Sequence, residues 1–258
     1  MINQTVLENI YNKIKTPFKL GAIIKNDDFF YDSPVVFRYN KCFYMTCVEI
    51  DRKCLGGYKT KLFKSNNLIN FEEIGYIFKE NNGWDSVQTG AYAQLINPEI
   101  DKGNEINSLN GKYLFAFIGG NKSGYETDPL SLGIGFAGNI DDISSYKKNP
   151  EPILSGKDKD SRFGEKLTIY KPCIFIDEKR TLGHKYVMLY NAKSEHNKES
   201  IFLVVSDDGV HYKRYLDHAI ISAYDSGKEK NINGDPQLLI IDGYYVQNIF
   251  EYLPFVQI

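Results

Sequence analysis

The chain has 258 residues, 42% of them hydrophobic, enough to bury a large core, and a formal charge of -2 at neutral pH. That balance leaves no basic field to collect nucleic acid or an anionic membrane surface. The longest apolar runs, such as residues 113–119, are far shorter than a bilayer span, and the first fifteen residues mix polar and apolar side chains instead of forming a signal-peptide core, so a cytoplasmic location is expected.

Taken in order, residues 5–15 carry Val6, Ile10 and Ile14 at helical spacing, and Pro17 ends the run. Aromatic residues then make up 14% of the chain, gathered in short runs bounded by Gly, Asn, Asp and Pro, which predicts strands. A first unit opens with Asp32-Ser33-Pro34-Val35-Val36-Phe37 and continues through 41–47, 58–65 and 71–78. A second has predicted strands at 91–96, 112–118 and 131–137 and a closing strand near 152–154. A third opens with Tyr170-Lys171-Pro172-Cys173, continues through 185–191 and 200–206, and closes over 212–221. Ser65-Asn66-Asn67 precedes Phe71 by the interval at which Ser206-Asp207-Asp208 precedes Tyr212, so the register repeats as well as the strands. A fourth unit opens with Gly234-Asp235-Pro236-Gln237 and reaches Tyr244-Tyr245-Val246, while the tail 247–258 is apolar without a strand-turn-strand rhythm.

A four-stranded antiparallel sheet cannot bury both faces alone, and radial packing of such sheets solves the problem. The expected fold is therefore all-β, a five-bladed β-propeller type with about three and a half blades present. It would form a single domain over 1–258, with a lead-in at 1–28 and blades at roughly 29–80, 84–155, 165–222 and 232–258, the last incomplete. A β-sandwich would not require one polar opening motif to recur at the same place in each unit. An incomplete ring leaves a strand edge that a second copy of the protein could pair with. Cys42, Cys47, Cys54 and Cys173 show no CxxC spacing and no His at zinc-finger distance, so they read as packing thiols, with no metal and no cofactor expected. No HExxH, GxSxG or phosphate-loop pattern occurs.

The set Tyr31-Asp32-Ser33-Pro34, Gly83-Trp84-Asp85, Gly124-Tyr125-Glu126-Thr127-Asp128-Pro129-Leu130, Gly164-Glu165-Lys166, Tyr190-Asn191-Ala192 and Gly234-Asp235-Pro236-Gln237 resembles bacterial glycosylases built as five-bladed propellers, akin to glycoside hydrolase families 43, 32 and 130. The resemblance runs from about Phe29 to Val246. It departs from those families in lacking the rest of a fourth blade and a fifth, which looks like a shortened C-terminus. It implies a glycoside hydrolase acting on an oligosaccharide or glycan fragment, with a glycoside phosphorylase and an inactive carbohydrate-binding propeller or truncated remnant as alternatives.

Glycosidic cleavage needs a proton donor and a second carboxylate that activates water or attacks the anomeric carbon. The resemblance implies Asp32 as base or nucleophile, Asp85 as the residue that orients substrate and tunes its neighbour, and Glu165 as acid. Trp84, Gln88, Tyr125, Lys171 and Asp235 are the expected substrate contacts. Local readings stand beside these. Asp before Ser-Pro or Pro also starts strands, because its carboxylate hydrogen-bonds the following backbone. Glu165 also reads as an acid paired with a nearby Lys, and Trp84 as core.

Overall fold

The computed structural model describes residues 3–16, 21–53, 55–80, 83–224 and 232–252. Helix α1 (Gln4–Ile14) begins at Asn3, whose side chain accepts from the Val6 amide at 2.9 Å, and turns Ile10 inward as its spacing predicts. Lys13 pairs with Asp242 at 2.5 Å, tying the helix to the last hairpin.

The first unit is β1 (Phe29–Tyr39), β2 (Cys42–Asp51), β3 (Tyr58–Ser65) and β4 (Glu72–Ile77). The second contains β5 (Gln88–Ala93), a short β6 (Ser108–Leu109), β7 (Lys112–Gly120), β8 (Ser131–Ala137) and β9 (Tyr146–Lys148). The third is β10 (Thr168–Ile176), β11 (Tyr186–Lys193), β12 (Glu199–Ser206) and β13 (Lys213–Arg214), followed by the hairpin β14 (Ile232–Ile241) and β15 (Tyr244–Tyr252). Neighbouring strands within each unit are antiparallel, and single parallel pairs, Tyr58 with Gln88 and Glu199 with Ile232, link one unit to the next, giving sheets of nine and six strands. No helix among the described residues is long and apolar enough to cross a membrane.

Local chemistry sets the turns. Asn40-Lys41, Asn110-Gly111 and Asp242-Gly243 all take positive φ in two-residue connections, the geometry that matches the twist of paired strands and that Asn, Asp and Gly tolerate best. The Ser65 and Ser206 hydroxyls each accept from amides two and three residues on, and the side chains of Asn67 and Asp208 repeat that pattern two residues later, so the expected repeat in register is a repeat in hydrogen bonding.

Stacking of the units makes the core. Phe37, Tyr44 and Leu62 of the first unit meet Phe115, Phe117 and Tyr146 of the second. The other face of the second unit, with Leu114, Ile118 and Leu132, meets Ile169, Met188 and Tyr190 of the third. Covered on both faces, β7 is buried from Leu114 to Gly120, which explains its unbroken apolar run. Leu238 of β14 covers Val187, Leu189 and Leu203 in turn.

Two expectations are corrected. The closing strand of the second unit is β9 at Tyr146–Lys148, where Tyr146 and Lys148 turn inward, and Leu154 contributes only an isolated bridge to Leu132. The tail is strand as far as Tyr252, because Ile232 to Ile241 of β14 provide it with an antiparallel partner; residues 253–258 lie outside the described residues, as does Cys54. Cys42, Cys47 and Cys173 are free thiols, Cys47 buried and the other two partly so.

The first junction between units is close enough to require glycine. A Cβ on Gly57 would stand 1.7 Å from the Val87 carbonyl oxygen, a backbone atom that cannot move independently. Gly57→Ala is expected to cost about 2 kcal/mol or more, measured as a lower urea midpoint with an unchanged slope.

Candidate functional site

The innermost strands β1, β5, β10 and β14 surround a channel of about 590 Å³. Three of them open alike, with Ser33-Pro34, Lys171-Pro172 and Asp235-Pro236. At each place the strand pairing slips, between Asp32 and Val35, Tyr170 and Cys173, and Gly234 and Gln237. The residue before each proline takes a φ of 50°, 50° and 51° respectively. Proline disfavours helical backbone in its predecessor, and a positive φ away from glycine costs on the order of 1–3 kcal/mol, so the surroundings enforce this geometry three times. The slips are bulges that bring Ser33, Lys171 and Asp235 to the channel wall. Strand β5 lacks the proline and pairs without a slip.

One loop, between β7 and β8, ties the units together at the channel mouth. The Tyr125 hydroxyl donates to the Asp32 carboxylate, which also accepts from the Ser33 amide at 2.6 Å. Glu126, held at a φ of 47°, pairs with the Lys171 ammonium at 2.7 Å, and the same ammonium reaches the Ser33 hydroxyl at 2.8 Å. Thr127 is clamped through both backbone groups by the wholly buried Gln88 amide, each bond 3.0 Å. Asp128 receives the Lys193 ammonium at 3.1 Å. Four consecutive residues, through side chains or backbone groups, thus engage all three complete units. Asp32, Ser33, Tyr125, Glu126 and Lys171 form one cluster, and Asp235 lines the same channel as an exposed residue.

Burial opposes charge on Lys171, but Tyr92 and the Glu126 carboxylate outweigh it and raise its pKa, so the group stays cationic. Burial also pushes the Tyr92 phenol up to about 12 and raises Tyr125, with Glu126 and Asp32 adding to the latter, which keeps both hydroxyls available as donors. Beside this cluster the Glu199 carboxylate accepts from Asn191 at 2.9 Å and acts with burial to raise the Tyr170 phenol. Among the described residues, Tyr58 Oη, Asn191 Oδ1 and both amide atoms of Asn233 are buried without a hydrogen-bond partner. Such groups cost roughly 1–3 kcal/mol each when left unpaired. The cluster can therefore offer a polar ligand two carboxylates, an ammonium and a phenol.

The other expected residues are taken up by protein partners. Asp85 is buried and pairs with Lys148, both side chains fully enclosed, and the Lys148 ammonium lies 5.4 Å over the Phe117 ring. Trp84 stacks on Phe117 at 5.4 Å and 21°, and its Nε1 donates to the Pro150 carbonyl at 2.8 Å, so its ring belongs to the packing of the second unit. Gln88 positions the mouth loop through Thr127. Glu165 is wholly buried in an ionic cluster: Arg162 approaches at 2.5 Å, Arg214 at 2.8 Å, and the Tyr190 hydroxyl donates to the same carboxylate. Burial pushes the Glu165 carboxyl up, but the Arg162 hydrogen bonds and charge, then Tyr190, outweigh it and hold the pKa below the ordinary range. A proton donor near neutrality needs the opposite shift. The sequence marks residues 124–130 among the resembling motifs and Tyr125 as a contact, but gives no role to Glu126 or Glu199; the available signal is an acid inside a polar, aromatic connection whose composition also fits a solvated turn.

No family model matches the sequence, and no curated protein matches it. Solved structures do. A protein described as a glycoside hydrolase superposes with a TM-score of 0.86 at 30% identity, covering 97% of this chain and 74% of that one. BT0996, described in a complex with RGII, superposes at 0.87 and 31% identity with the same coverage. A β-1,2-mannobiose phosphorylase from Listeria innocua, in complex with β-1,2-mannobiose, superposes at 0.56 and 11% identity over 86% of this chain and 55% of that one, a likeness of fold.

Proposed function

Because this protein belongs to the β-propeller glycoside hydrolases, we propose that it hydrolyses a glycosidic bond of an oligosaccharide at the channel mouth, with Asp32 and Glu126 as the two carboxyl groups. The observation that carries this reading is their convergence: Ser33, the neighbour of Asp32, and Glu126 are both held by the one Lys171 ammonium, from three different units. Asp32, accepting from Tyr125 and from a backbone amide, takes the part of base or nucleophile. Glu126, on the mouth loop, donates the proton to the leaving oxygen, a part that requires the bound sugar to draw the Lys171 ammonium away from its carboxylate. Lys171, Tyr125 and Asp235 contact the sugar, and the unpartnered Asn191 amide oxygen and Asn233 amide suit its hydroxyls. Asp85 and Glu165 take structural parts as members of buried ion pairs. The same reading treats the three units and the final hairpin as successive blades of the five-bladed plan.

Phosphorolysis would need a net positive pocket for phosphate, whereas Lys171 and Lys193 at the mouth each stand beside a carboxylate that would repel the anion. The test is turnover of aryl glycosides found by screening. Glu126→Gln is expected to lower kcat by about 10²–10³-fold on a substrate with a poor leaving group. It should lose far less on a 2,4-dinitrophenyl glycoside, which needs no protonation. Equal losses on both substrates, or no loss on either, would remove Glu126 as the acid.

A further inference from the structure

The ionic cluster around Glu165 is extensive for a surface turn, and what it immobilises is an exposed ring. Phe163 lies between Arg162 and Glu165 in a single 3-10 turn and is 63% exposed. Beneath it, Arg162 and Glu165 are buried and bound to one another, to Tyr190 and, through Glu165, to Arg214. Arg162 also donates to the Leu216 carbonyl at 2.6 Å. The turn cannot rotate without breaking several charged hydrogen bonds.

Two more exposed rings stand against Phe163. His196 is 5.8 Å away, tilted by 43°, and Tyr224 is 6.1 Å away, tilted by 54°. Tyr224 is fixed from below by a 2.8 Å hydrogen bond between its hydroxyl and that of Ser194, a buried residue. A lone exposed aromatic is ordinary. Three rings meeting at an angle, two of them anchored by buried polar groups, make a preformed aromatic patch.

The patch lies at the same end of the third unit as the channel mouth. Thr168 pairs with Lys193, and Lys193 with Glu199, so the start of β10, the end of β11 and the start of β12 lie side by side. Phe163 precedes β10, and Ser194 and His196 belong to the turn joining β11 to β12. Lys193, next to Ser194, pairs with Asp128 of the mouth loop, so a chain of contacts links the Asp32 and Glu126 cluster to the rings.

We propose that Phe163, Tyr224 and His196 form an accessory site that stacks on a sugar ring of the same glycan, outward from the cleaved bond. The proposal rests on the glycoside hydrolase reading of the mouth. The apolar C–H face of a sugar matches the rings, and the His196 ring nitrogens can meet its hydroxyls. Affinity electrophoresis tests it, with soluble mannan, xylan, arabinan or levan each cast into a native gel and Asp32→Asn as the background to prevent digestion. At least one polysaccharide should retard the Asp32→Asn protein. Adding Phe163→Ala should weaken that retardation about fivefold or more, while Phe163→Trp, which keeps a ring, restores it in a protein of unchanged melting temperature. Equal retardation with and without Phe163→Ala overturns the proposal, and so does an absence of retardation in every gel. Either result leaves the hydrolase reading standing, because that reading is judged separately on aryl glycoside turnover by the wild-type protein.

Discussion

Asp32→Asn is expected to lower kcat on any glycoside the protein turns over by about 10³-fold or more, with little change in KM. The residue sits on an innermost strand, in a bulge that leaves its carboxylate at the channel and hydrogen-bonded by Tyr125 and the Ser33 amide. Asparagine has nearly the same shape: its one oxygen still accepts from the Ser33 amide, and its amide nitrogen can donate to the Tyr125 oxygen in place of the bond that the second carboxylate oxygen accepts. The loss would then be one of chemistry, and the melting temperature should stay within about 2 °C of wild type. A tenfold or smaller loss of kcat would mean that another group activates the water or attacks the sugar.

Glu165→Gln is expected to act on stability. It removes the charge that two buried guanidinium groups face, and breaking a buried pair costs about 3–5 kcal/mol, a fall in Tm on the order of 10 °C for a protein of this size. The pH dependence follows from the depressed pKa. The folded-state pKa of Glu165 lies below its ordinary value of 4.5, so its contribution is fully present above that value and is lost as pH falls through the folded-state pKa. Melting curves from pH 7 downward should therefore drop more steeply for wild type than for Glu165→Gln, the two converging in acid. Parallel curves would show that the carboxylate contributes no such stability.

Much of the fold is legible in the sequence because the repeat is carried by local chemistry. Asn-Lys, Asn-Gly and Asp-Gly turns, the Ser-led loops after β3 and β12, and the X-Pro openings of three inner strands act within a few residues. Asp32, Lys171 and Asp235 are visible for the same reason, since the recurring proline marks where the strand slips into the channel. The parts of Glu165 and Trp84 are not, because they depend on residues far along the sequence: Tyr190 and Arg214 for the acid, Phe117 and the Pro150 carbonyl for the indole. One local cue for Glu165 is Arg162, three residues earlier, where both backbone and side chain reach back to the carboxylate. Glu126 is hidden in a loop whose length and polarity look like solvated surface, and its partner Lys171 lies in another unit. The strand character of the tail escapes sequence reading because an apolar strand without alternation shows its pairing only once β14 lies beside it.

The most direct measurement is a crystal structure of the Asp32→Asn protein with an oligosaccharide that the wild type cleaves, reading the distances from the scissile bond to each carboxyl group. With Glu126 as acid and Asp32 as its counterpart, the glycosidic oxygen is expected about 3 Å from the Glu126 carboxyl, with the anomeric carbon facing residue 32 across the channel mouth. A scissile bond bound away from the mouth, or beside Asp85 or Glu165, would contradict that assignment.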